Sequence, residues 1–108
     1  MTIPCGDCFG YAVTHARAGD VVVHAKVHDP WSGKVFHHAW IERRGRVLDW
    51  QSSQGLGPGR RGWIKSKFIA AYRPFAVKRY DPDTARRCMI RSRTPGPWRR
   101  CRYGGARP

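Results

Sequence analysis

The chain reads as an α+β protein, one helix followed by a small antiparallel sheet with further helices toward the C-terminus. Three observations predict this. Phe9, Ala12, Val13 and Ala16 recur at i, i+3, i+4 and i+7, the spacing of one apolar helical face. Directly afterwards Val21, Val23, Ala25 and Val27 alternate with Val22, His24, Lys26 and His28, the pattern of a strand with one buried face. Two more strand-like segments follow on either side of Arg44-Gly45, and a link that short suits an antiparallel hairpin.

Taken in order, Asp7 is placed to cap a helix beginning at Cys8, and Gly19 to end it. The first strand runs through Val21–His28, and Asp29-Pro-Trp-Ser-Gly33 is loop chemistry. The second strand is expected over about Lys34–Glu42 and the third over about Arg46–Gln51. Ser52–Gly62 is rich in Gly and Ser and is expected to be a loop beside the third strand. Trp63–Tyr72 reads as a short helix with Ile64, Phe68 and Ala71 on one side, and Phe75–Tyr80 as a strand. Asp81-Pro82 is a cap followed by an N1 proline, and Ala85, Cys88 and Met89 give the next helix its apolar stripe. The domain is expected over residues 1–92, with a basic, extended tail over 93–108.

Composition bounds the function. Apolar residues at 41% and charged residues at 26% belong to a folded protein and argue against wholesale disorder. No apolar run is long enough to span a bilayer, so no membrane partner is expected. The first residues have neither the basic region nor the apolar region of a signal peptide. The expected compartment is the cytoplasm, where the four cysteines should be mostly reduced. The net charge of +14 is unevenly spread: residues 1–50 hold 6 Lys/Arg against 5 Asp/Glu, and residues 51–108 hold 15 against 2. Either the basic half is a solvated surface, or it meets a nucleic acid or another polyanion through Arg60, Arg61, Lys65, Lys67, Arg99 and Arg100.

The residues with chemistry lie in the first half. A cysteine at a helix start is favoured as thiolate by backbone N–H groups and the macrodipole. A nucleophilic cysteine needs a base, and the base needs an orienting group. Cys8, His38 and Asp49 supply the three, on the first helix and on strands two and three. A two-residue turn at Arg44-Gly45 sets Trp40 opposite Asp49 and His38 opposite Gln51. His38 and Asp49 then become diagonal neighbours on one face, about 7–8 Å apart at the backbone. A one-residue slip would separate them onto opposite faces.

Cys8-Phe-Gly-Tyr-Ala12, Val22-Val-His-Ala-Lys-Val27, His38-Ala-Trp-Ile-Glu42 and Val47-Leu-Asp49 resemble the core of papain-like and transglutaminase-like cysteine enzymes. The stretch Lys78–Met89, with Gly96-Pro-Trp98, resembles the C-terminal part of small uncharacterised bacterial and phage proteins that share that core. The resemblance implies a papain-like fold, with Cys8 as nucleophile, His38 as base and Asp49 as orienting group. It implies a peptide or amide substrate and no cofactor. The strongly basic C-terminal half departs from those relatives. No oxyanion-hole motif stands out; the Cys8 N–H is one donor, and Gln51, Gln54 and Trp40 are placed as helpers.

Rival readings use the same residues. Cys5-x-x-Cys8 is half of a zinc knuckle, but there is no second pair, so no metal site is expected and Cys5 is read as a small apolar anchor. The pair also lacks the βαβ surroundings of a thioredoxin-like redox site. His37 competes with His38 but falls on the other strand face, as a core or partly buried histidine, while Trp40 packs under the sheet. The non-enzyme alternative is an inactive papain-like scaffold that binds a polyanion through arginines interleaved with Trp63, Tyr72, Tyr80, Trp98 and Tyr103.

Overall fold

The computed structural model describes residues 5–53 and 61–98. Within them the fold is α+β. α1 (Cys5–His15) leads into β1 (Val21–His28), β2 (Val35–Arg43) and β3 (Arg46–Leu48). α2 (Trp50–Ser53), β4 (Trp63–Ile64), α3 (Lys65–Tyr72), β5 (Phe75–Tyr80) and α4 (Pro82–Ser92) follow. All strand pairings are antiparallel, in the spatial order β4-β3-β2-β1-β5.

Helices cover both faces of the sheet. On one, Val22, Ala39 and Ile41 pack against Phe9, Ala12 and Val13 of α1, Ala16 just after it, and Ala85 and Cys88 of α4. On the other, Val23, Ala25, Val27, Trp40 and Val47 pack against Phe68 and Tyr72 of α3. β1 therefore has two buried faces where its alternation predicted one: Val22 and His24 lie under α1 while Val23 and Ala25 lie under α3. A strand covered on both sides reads as a near-continuous apolar run, which is what Val21-Val-Val is.

The hairpin between β2 and β3 follows the sequence register. Ile41 pairs with Leu48, Glu42 with Val47 and Arg43 with Arg46. Arg44 (φ +49) and Gly45 (φ +77) are both left-handed, the conformation of a two-residue type I′ turn. The Asp20 carboxylate ties this hairpin to the segment after α1. It accepts from Arg43 Nε at 2.9 Å and Arg43 Nη2 at 2.7 Å, and from the Arg17 backbone N–H at 2.7 Å.

Several boundaries differ from expectation. α1 begins at Cys5, so Cys8 sits one turn into the helix and Asp7 is within it instead of capping it. α1 ends at His15, and Gly19 (φ +89) belongs to the turn that delivers Asp20. β3 stops at Leu48 because Asp49 accepts the Ser52 backbone N–H at 2.8 Å and starts α2, where strand was expected to Gln51. Trp63-Ile64 pair with β3 as an edge strand, so α3 begins only at Lys65; Ile64 is exposed, and α3 buries Phe68 and Tyr72. Asp81 caps α4 through the Thr84 N–H with Pro82 in the first turn, as the sequence indicated. Beyond α4, Trp98 is buried, and its Nε1–H donates to the Thr94 carbonyl at 2.8 Å. The packed chain therefore extends past residue 92, where the tail was expected to begin.

Candidate active site

The site forms where α1 meets β2 next to the short β3. β3 leaves β2 after Ile41, so the stretch of β2 around His38 is not paired on that side among the described residues. His38 shares the α3 face with Trp40 and with Ala25, its partner on β1. Its ring lies among Phe36, Trp40, Phe68 and Tyr72, with centroids 5.8, 5.8, 6.2 and 6.3 Å away. Two of these rings come from α3.

Cys8, His38 and Asp49 meet in this corner and all three are buried. His38 Nε2 faces Asp49 Oδ2 at 3.5 Å. That separation makes an ion pair and leaves the hydrogen bond unclosed. The other side of the imidazole engages the Cys8 side chain, which makes Nδ1 the nitrogen turned toward sulfur. Asp49 is held from behind by the Ser52 N–H, one of the α2 amides an N-terminal cap satisfies.

Electrostatics follow from this packing. Burial favours the neutral imidazole, but the Asp49 carboxylate and then Cys8 outweigh it, pushing the His38 pKa up to about 9. For Asp49, burial works against the charged form, yet His38 and the Ser52 N–H prevail and hold the carboxyl below its ordinary range. Tyr11 and Tyr72 are pushed up, each by burial first and then by the Asp49 charge. The corner thus holds the buried His38 ring between the Cys8 side chain and the Asp49 carboxylate.

The remaining sequence-derived residues scatter. Gln51 lies half-buried on α2, and Trp40 is buried beside His38 as packing. Gln54, Arg60, Arg99 and Arg100 lie outside the described residues, as does the side chain of Cys5. Arg61 and Lys67 are exposed, and Lys65 pairs with Glu42 at 3.2 Å. His37, expected to be at least partly buried, is exposed on the face opposite His38. Cys8 is a free thiol, whereas Cys88, expected reduced, is disulfide-bonded. Sequence reasoning missed Ser52 and the pair Phe68 and Tyr72. The Asp-x-x-Ser spacing of a helix cap, Asp49 to Ser52, was the signal for the first.

Among the described residues no group of three or more His, Cys, Asp or Glu is placed to hold a metal ion, and no helix is long and apolar enough to cross a membrane. No protein-family model matches the chain, and neither a curated protein nor a solved structure shows significant similarity to it.

Proposed function

We propose that this protein is a papain-like cysteine hydrolase or acyl transferase acting on a peptide or amide carbonyl. The observation that carries the reading is the buried His38 ring held between Cys8 and Asp49. In this reading the Cys8 thiolate attacks the carbonyl carbon and forms a thioester as the C–N bond breaks. His38 gives the leaving amine its proton, then takes one from the incoming water or amine that releases the acyl group. Asp49, fixed by Ser52, keeps Nε2 occupied so that Nδ1 serves sulfur.

Limiting iodoacetamide at mildly acidic pH, followed by peptide mass mapping, tests the thiol. Cys8 should be modified before any other free thiol, with Cys88 and the cysteine it is bonded to protected by their disulfide. His38→Ala should abolish that preference. Equal labelling of every free thiol would overturn the assignment.

A second reading rests on the charge of residues 51–108. As an inactive scaffold, the protein would bind a polyanion through exposed Arg61, Lys67, Arg73 and Arg87. Binding to single-stranded RNA or DNA should then weaken steeply with salt through counterion release. Absence of binding at low salt would reject it.

A further inference from the structure

We propose that a second site, on the sheet face opposite His38, binds the oxyanion group of a small ligand, a carboxylate or a phosphate. A cavity of about 140 Å³ opens there, lined by His24, Lys26, His37, Lys78, Ala76 and Trp98 among others. None of the described residues lining it is acidic.

The strand register explains why cationic and hydrogen-bonding groups converge. His24 and Lys26 are alternate residues of β1 and so share one face. His37 of β2 stands directly opposite Lys26, and Lys78 of β5 directly opposite His24. Two neighbouring cross-strand pairs therefore bring two histidines and two lysines to one face, where Lys78 Nζ also donates to the Trp98 carbonyl at 3.4 Å. The space is made by an irregularity: the β1–β5 register shifts between His24 and Lys26, and Ala76 there takes φ +51.

His24 is the second sign. It is 4% exposed, and neither ring nitrogen has a hydrogen-bond partner. Buried polar groups are nearly always satisfied, so an orphaned imidazole at the base of a cationic cavity calls for a ligand. Its surroundings are aromatic: Phe9, Trp98 and Tyr80 have ring centroids 4.5, 4.8 and 5.2 Å away. Burial, then Lys78 and His37, push its pKa down to about 3. The ring is thus neutral and offers one N–H donor, while the lysines supply charge. Trp98 and Pro97 form one wall of the cavity. The site rests on no property of the Cys8 thiol.

The test uses the full chain at constant ionic strength. Inorganic phosphate and acetate are titrated separately while the His24 ring and Trp98 indole signals are followed by NMR. At least one anion should give a saturable shift of both residues and raise the His24 pKa; whichever does so names the oxyanion. Lys78→Gln should weaken binding about tenfold or more, the scale of a lost charge-assisted contact. Lys26→Gln provides the same reading should the first variant not fold. Arg44→Gln, exposed in the β2–β3 turn, should leave affinity unchanged. Non-saturating shifts, no shift for either anion, or equal weakening in Arg44→Gln would overturn the site.

Discussion

The charge state of His38 makes a measurable claim about stability. Its pKa rises from 6.5 in the unfolded chain to about 9 in the fold, burial being outweighed by Asp49 and then Cys8. A group whose pKa is raised on folding stabilises the native state fully below its unfolded value and loses that contribution as pH climbs through its folded value. Between pH 6.5 and about 9 the stabilisation from this one ring should therefore fall by about 3 kcal/mol, at 1.36 kcal/mol per unit. Asp49→Asn removes the larger of the two favourable partners while keeping the side-chain shape and the oxygen that accepts from Ser52. Urea denaturation of parent and variant across this window should show a steep decline in the parent and a flatter one in Asp49→Asn. Comparing the two cancels the groups that titrate there independently of His38. Direct NMR titration of the His38 ring should locate its midpoint near 9 in the parent and lower in the variant. A parent midpoint near 6.5, or parallel stability curves, would refute the buried ion-pair account.

Further predictions follow from the packing. Gly62→Ala should cost about 2–4 kcal/mol by thermal or urea unfolding, because its Cβ would lie 2.1 Å from the Val47 carbonyl oxygen at φ +69. Phe68→Ala removes a fully buried ring that packs on Trp40 and flanks His38, and should cost about 3–5 kcal/mol of stability in the same assay. Asp20→Asn should cost about 1 kcal/mol, since Arg43 is partly solvated. The Arg43 guanidinium, then the Arg17 N–H, hold the Asp20 carboxyl low against its burial, so its contribution exists above pH 3.8 and is lost as pH falls below that. Acid titration of the parent should show this loss, and Asp20→Asn should lack it.

Legibility in the sequence followed the range of each interaction. The β2–β3 register was readable because one short turn, Arg44-Gly45, fixes it locally; the meeting of His38 and Asp49 was reached by another route, since Asp49 leaves the strand to start α2. The α4 start was readable because Asp81-Pro82 is a cap complete within four residues. The double burial of β1 was not, because it depends on α3 and α4, some forty or more residues away. Trp63-Ile64 looked like the start of a helix because nothing local reveals the β3 edge that claims them. Cys8 and His38 were each plain in the sequence, but the aromatic wall between β2 and α3 belongs to tertiary packing alone. His24 passed as one more strand residue for the same reason: only the fold brings Phe9, Tyr80 and Trp98 around it.

The strand order has a bearing on how the lopsided charge of the chain is distributed in space. Both outer strands, β4 and β5, come from the basic half, and so do the helices on either face, α3 and α4. The nearly neutral half supplies the centre of the sheet and α1 on one of its faces, while the cationic half supplies both edge strands, a second helix on that face and the helix on the other. An imbalance that is polar along the polypeptide thus places basic segments at both edges and on both faces of the sheet. Without the cationic half the sheet lacks both its outer strands and the helix on the His38 face. Cutting the chain between them would separate His38 from Phe68 and Tyr72 and leave two fragments, neither of which reports on the reactivity or the anion affinity of the whole.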